Sequence, residues 1–283
     1  MFNYSEANLE SLNDDLDKTL EECKELVENI KLSTNVNLSD FNELESTVYD
    51  VSGRIAFLGD VHPHEKIRDF GNEADSKIQN FALEIFNDDD LYKKYKEIDI
   101  SNADKESIEF HKDLGIDFKN AGHGLSDESR NRLIDIDKKL IELGISYSEN
   151  IAKDKTELKF SEAELNGLSK NELNNLKKDK GKFIITMAYP NVNVVSENCN
   201  VRSTREKVWK AFNNRAVKDN IPILKEAVLL RNEKSKLFGF ETWAEYRLQN
   251  RMAKNPKNVD SMYRDLIPKL QKSAEKEKIE LVI

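Results

Sequence analysis

A chain of 283 residues, with 34% charged and 38% hydrophobic residues but only 10 glycines and 5 prolines, can bury a sizeable core and has the composition of long solvated helices rather than a turn-rich sandwich. A formal net charge of -9 leaves no basic stripe to displace counterions from phosphates, which argues against a nucleic-acid partner. Two cysteines, Cys23 and Cys199, are too few for a disulfide framework. No apolar run approaches a membrane span and no signal-type segment opens the chain, so a reducing, cytoplasmic location is expected.

Leu9, Leu12, Leu16, Leu20, Val27 and Ile30 recur at three- and four-residue steps, with Cys23 in the same stripe, and predict an amphipathic helix from Tyr4 to about Leu32. A second helix is expected from Ser39-Asp40, with Asp40 and Glu43 at capping-box spacing and Phe41, Leu44, Val48 and Val51 on one face. Gly59 to Pro63 reads as a connection. Ile67, Phe70, Ala74, Ile78, Phe81 and Ile85 then mark a third long helix, which Asn87-Asp88-Asp89-Asp90 breaks. Further helices are expected over Leu91–Lys96 and Asn102–Lys119. Ala121-Gly122-His123-Gly124 forces a turn, and Ser126 caps a helix that Leu133, Ile136, Leu140, Leu143, Tyr147 and Ile151 carry to about Lys153.

The chain changes character at Asp154. Glu157–Phe160 reads as a short strand, and Ser161/Glu164 and Ser169/Glu172 are capping boxes of short helices. The basic run from Leu176 to Lys182 reads as a solvated loop. Lys182–Tyr189, rich in β-branched and aromatic residues, reads as a strand stopped by Pro190-Asn191, with a second run over Val192–Val195, so the β element is expected at about 157–160 and 182–196. Ser203/Glu206 has capping-box spacing for a helix carrying Val208, Ala211 and Phe212. Another helix is expected from about Pro222 to Gly239, and Thr242/Glu245 opens one running toward Met252. Asn255-Pro256 opens the last, with Val259, Met262, Tyr263, Leu266, Ile267 and Leu270 as its inner face and Pro268 bending or splitting it. The fold class is mainly α: an all-helical lobe over 1–153, then the start of a second lobe over 154–283.

His62, His64 and Glu65 are the only grouping that resembles a metal site. The proline between the histidines and the want of further ligands favour a surface turn instead. His111 and His123 lack a neighbouring nucleophile or carboxylate in sequence. Cys199 has only Arg202 nearby to lower its pKa and reads as a loop or core residue. Trp209, Trp243 and Tyr246 lie at helical spacing with apolar neighbours, as core residues do. An open edge of the strand from Phe183 to Tyr189 is the feature best suited to binding, since an extended peptide can add main-chain hydrogen bonds there.

MAYPNVNVVSENC, REKVWKAFNNRAVKDNIPILKEAVLLRNEKSKLFGF and RMAKNPKNV, with DVHPHEKIRDFGNEADSKIQNF, LYKKYK and FKNAGHGLSDESRNRLIDIDKKLIELGISYSENI upstream, resemble in order and spacing the zinc oligopeptidases of the thimet oligopeptidase and neurolysin family. The resemblance spans nearly the whole chain. It implies a two-lobed enzyme with a deep channel, a zinc cofactor and short peptide substrates. Such enzymes carry H-E-x-x-H on a helix, because positions i and i+4 put two imidazoles on one face while the glutamate activates the metal-bound water. Here His64-Glu65 is followed by Lys66, Ile67 and Arg68, with no second histidine. The resemblance therefore implies the N-terminal portion of such an enzyme, ending before the zinc motif. It supplies no catalytic residue, no metal ligand and no individually named substrate-binding residue, and is expected to be inactive alone. The rival reading is a non-catalytic helical binding or scaffold module derived from the same fold.

Overall fold

A computed structural model describes residues 8–282, so the expected helix start at Tyr4 and the terminal Ile283 lie outside the described residues. Helix α1 (Leu9–Leu32) starts at Asn8, whose side chain accepts from the Ser11 amide while the Ser11 hydroxyl accepts from the Asn8 amide. Its stripe buries Leu12, Leu16, Cys23 and Ile30. Helix α2 (Leu38–Val51) is capped by a reciprocal pair of Asn37 and Asp40 rather than by Asp40 and Glu43. Asn37 precedes the first apolar residue and can meet the free amides of the first turn, which Asp40, already inside the helix, cannot.

Beyond α2 the chain stays helical where a connection was expected, through a π-turn (Ser52–Ala56) and a one-turn helix α3 (Leu58–Val61). A Cβ on Gly71 would strike the Gly59 backbone, so α4 (Glu65–Asn87) passes α3 at a separation only two glycines permit. Asp88 ends α4 and caps α5 (Asp89–Glu97), accepting from the amides of Asp90 and Leu91. Asp104 caps α6 (Lys105–Asn120). Gly122 and Gly124, at φ +99° and +100°, carry the turn into α7 (Asp127–Ala152). Phe118 is fully buried, with the rings of Phe41, Phe86, Tyr92 and Tyr95 at centroid distances of 6.2, 5.4, 5.4 and 5.3 Å.

Two compact units result. One groups the residues up to Ile141 with those from Ala227 onward, and the other is Glu142–Glu226. The change of sequence character near 153 falls inside the second unit, where a helix gives way to strands.

The second unit holds β1 (Glu157–Phe160), a 3-10 turn (Ala163–Leu165), α8 (Lys170–Asn174), β2 (Lys178–Asp179), β3 (Lys182–Thr186), α9 (Tyr189–Asn198) and α10 (Arg202–Asn213). The sheet is antiparallel, in the order β1-β3-β2. Lys180 and Gly181 both have positive φ, 48° and 79°, as a two-residue hairpin turn requires. The basic run read as a solvated loop is therefore half of a hairpin.

The strand expected over 182–196 ends at Thr186, and Val192 and Val195 lie instead on α9. Pro190 in the first turn suits a helix start, and the three-residue spacing buries both valines on one face, which outweighs their β-propensity. Helix α10 has no side-chain cap. The expected Ser203/Glu206 box does not form because the helix already begins at Arg202, which puts Ser203 inside it, and Glu206 pairs with Lys210; beside it the Thr204 hydroxyl donates to the Glu164 carbonyl at 2.7 Å.

Helix α11 (Val217–Leu237) begins before Pro222, which lies inside it, because Ala216 turns the chain at φ 52°. It ends as expected at Gly239 (φ 78°), with the Gly239 amide donating to the Lys236 carbonyl and the Phe240 amide to that of Ser235. The Thr242/Glu245 box opens α12 (Trp243–Leu248), which stops short of Met252. Helix α13 (Pro256–Val282) is continuous through Pro268, and every side chain from Asp260 to Glu280 is exposed. The face expected to point inward has no partner among the described residues.

One cavity in the first unit carries a titration signature. It measures about 400 Å³ and is lined by Glu45, Asp113, Asp117 and Tyr246 among others. Burial, then the charges of Asp117 and Asp113, pushes the Glu45 carboxyl from 4.5 up to about 7. Its folded pKa lies above its unfolded one, so its contribution to stability is full below about pH 4.5 and is lost as pH rises through about 7. Glu45→Gln is expected to flatten that loss. Urea midpoints at about pH 5 and about pH 8 should show the variant gaining on the native chain only at the higher pH, and an equal offset at both would refute the assignment.

Candidate functional site

The small sheet is the best candidate binding surface, but its open edge is not the expected one. β3 pairs with β1 along its length, from Glu157 opposite Thr186 to Phe160 opposite Phe183, and β2 covers its other side at Lys182 and Phe183. The Ile184 amide also donates to the Lys177 carbonyl at 2.8 Å. The segment Phe183–Tyr189 is thus the centre of the sheet followed by a helix start, not an open strand. The outer strands are β1 and the two-residue β2, and β1 is the longer open edge.

β1 is held rigidly from behind. Phe160, Phe183 and Ile185 are buried in a core with Leu165, Val195 and Val208, while Glu157 and Lys159 face solvent, in the alternation of a strand with one wet face. Lys159 ties the sheet across its outer face through a 2.5 Å ion pair with Asp179. A free strand side, a fixed core behind it and exposed charges on alternate residues can accept an extended chain through main-chain hydrogen bonds.

Cys199 lies under this sheet, buried, with its thiol 3.4 Å from the Glu164 carbonyl oxygen. It is a core residue, as its neighbours in sequence suggested. The turn that brings this carbonyl and the thiol together depends on Gly167, at φ +110°, where a Cβ would overlap the Asn198 carbonyl and lie 2.8 Å from the Asn200 nitrogen.

The histidines do not converge. The His62 and His64 rings lie 5.4 Å apart, and the His64 amide donates to His62 Nδ1, which a local turn explains. His111 stacks on Tyr95 at 4.6 Å. His123 stacks on Tyr92 at 4.1 Å with Nε2 2.8 Å from the Phe86 carbonyl oxygen, and burial lowers its pKa. It is a structural histidine held neutral.

Among the described residues no group of three or more His, Cys, Asp or Glu side chains could hold a metal ion. A zinc site needs at least three protein ligands, so these residues do not fit the cofactor that the resemblance implies, and no catalytic step passes through it here. Trp243 and Tyr246 pack together at 5.3 Å, and the Tyr246 hydroxyl donates to Asn120 Oδ1. Trp209, expected in a core, is 61% exposed: α10 buries Thr204 and Val208, and position 209 lies off that face.

A mainly α chain with a small three-stranded antiparallel sheet is consistent with a partial peptidase fold of the family that the following comparisons point to. Residues 195–281 match the family described as Peptidase family M3. The chain is 31% identical to the thimet-like oligopeptidase of Dictyostelium discoideum over 265 residues, 89% of this chain and 39% of that protein. It is 27% identical to oligopeptidase A of Escherichia coli over 93% of this chain and 42% of that protein. For a probable thimet oligopeptidase of Arabidopsis thaliana the figures are 30%, 83% and 34%. The chain is thus similar to peptidases of family M3 over most of its length. It spans only about two-fifths of the length of these relatives. No helix among the described residues is long and apolar enough to cross a membrane.

Proposed function

We propose that this chain is the N-terminal part of a cytoplasmic zinc metallo-oligopeptidase that hydrolyses short peptides. On this reading the helices form part of the wall of a substrate channel, with a lobe boundary in the chain near residue 153, and the zinc ligands belong to sequence outside these residues. The observation that carries it is the similarity to M3 peptidases running through most of the chain. The free side of β1 is the place offered to an extended peptide. The rival reading, a self-sufficient scaffold module, calls for polar outer surfaces, and the apolar stripe of α13 opposes it.

Incubated with zinc and a quenched fluorescent peptide, the isolated chain should turn over nothing. Turnover abolished by a chelator would overturn the assignment. In an enzyme completed by the rest of the family polypeptide, saturating peptide should slow amide exchange over Glu157–Phe160, and unchanged exchange there would remove β1 from the binding surface.

A further inference from the structure

The acid-lined cavity of the first unit adjoins a second, apolar one, and the proposed peptide chemistry uses neither. The polar chamber, about 400 Å³, takes Glu45 from α2, Asp113 and Asp117 from α6, Arg247 from α12 and Arg251 just beyond it. The apolar chamber, about 200 Å³, is walled by Leu44 and Val48 of α2 and by Ile78, Ala82, Ile85 and Phe86 of α4. Glu45, Tyr49 and Asp117 line both, so the chambers share a wall that carries two carboxylates, whereas the arginines line the polar chamber alone.

Among the described residues none of the three carboxylates has a hydrogen-bond or ion-pair partner, and neither arginine pairs with them. Arg247 lies instead 5.7 Å from the centre of the Trp243 ring. Elsewhere opposite charges close on one another, as Lys31 and Asp88 do at 2.6 Å. Two signs held apart in one cavity suit a ligand that carries both. A bare cation fits less well, because no group of three acidic side chains could hold a metal ion and two guanidinium groups stand beside it. The order of the parts narrows the ligand further. An ammonium at the shared wall meets Glu45 and Asp117, and a carboxylate beyond it meets the arginines. A ring borne close to both groups enters the apolar chamber, where about 150 Å³ is enough for benzene. We propose that the paired chambers bind a free α-amino acid with a large apolar side chain. This binding needs no catalytic step and stands independently of the peptidase assignment.

Titration calorimetry on the 283-residue chain tests this with phenylalanine and three compounds that each lack one part. Phenylalanine should bind at a single site with Kd of about 0.1 mM or tighter. Phenylethylamine, without the carboxylate, 3-phenylpropionate, without the ammonium, and alanine, without the ring, should each bind at least about tenfold more weakly. Glu45→Gln and Arg251→Met, each checked for a cooperative urea transition, should weaken phenylalanine by a similar factor. Its affinity for the native chain should also rise between about pH 6 and about pH 8, as Glu45 gains its charge. The groups facing Glu45 are Asp113 and Asp117 from α6, Tyr246 and Arg247 from α12 and Arg251 beyond it, while α4 contributes only uncharged side chains to the two linings. No saturable binding of phenylalanine, or unchanged affinity in either folded variant, would overturn the proposal. So would any of the three partial compounds binding as tightly as phenylalanine, or an affinity that does not rise with pH. Tighter binding of phenylalanyl-glycine than of phenylalanine would overturn the free amino acid as ligand and make this a peptide site.

Discussion

Lys234→Met is expected to destabilise the fold by about 3–5 kcal/mol near neutral pH, and by much less in mild acid. Lys234 Nζ lies 2.5 Å from Asp137 Oδ1, with both side chains little exposed, at 12% and 13%. Removing one member of such a pair leaves the other as an uncompensated charge, whereas in an exposed pair such as Arg132 with Glu233 water takes over the lost partner's role. Burial already pushes the Asp137 carboxyl up, against the pull of Lys234, so without the lysine it must rise further.

A carboxyl whose folded pKa exceeds its unfolded value favours folding while protonated, and that contribution is lost as pH rises through the folded pKa. The penalty of Lys234→Met should therefore grow between about pH 5 and about pH 8 in urea titrations. Adding Asp137→Leu should recover most of it, because a well-packed apolar pair can replace a buried ionic one. A cost independent of pH, or no recovery in the double variant, would show that this pair is not a buried charge couple.

Gly167→Ala should cost a comparable amount, about 3–5 kcal/mol, though it adds a single methyl group. At φ +110° an alanine is strained whatever its surroundings, and its Cβ would also overlap the Asn198 carbonyl. Neither neighbour is a flexible side-chain tip. The Asn200 amide donates to the Asn166 carbonyl at 2.7 Å, so the two backbones are already fastened together at this point. Relief must come from displacing Asn198–Asn200, and Cys199 lies between them, 3% exposed. The variant should accordingly show both a lowered urea midpoint and faster reaction of Cys199 with an aromatic disulfide reagent. Midpoint and thiol reactivity both unchanged would mean that the turn is looser than described.

Much of the architecture was legible because its signals are local. The break at Asn87–Asp90, the Ser169/Glu172 and Thr242/Glu245 boxes and the glycine stop at Gly239 each need only partners within one helical turn, and all appear where the residues place them. The same reasoning failed where a helix began earlier than its signal. Helix α10 starts at Arg202, so Ser203 lies inside it and the box beginning there never forms. Ala216 adopts a left-handed conformation that nothing in its neighbours announces, and α11 therefore begins ahead of Pro222. The family was legible too, because its segments keep their order and spacing along the chain.

The candidate site was half visible. That residues 157–160 and 182–186 form strands follows from their side chains, but which strand has a free side depends on which segments return beside it. The basic run after Leu176 does return, as β2, and puts β3 in the middle. Asp137 and Lys234 likewise meet only because α7 and α11 come together there, and neither residue's neighbours distinguish it from the many surface charges. By itself, then, the sequence determined most of the helices, several of their caps, the family resemblance and the missing second histidine, since each is written within a few residues. The tertiary structure alone decided the open strand, the buried charge pair and the uncovered stripe of α13, because burial and pairing are properties of segments brought together from far apart in the chain.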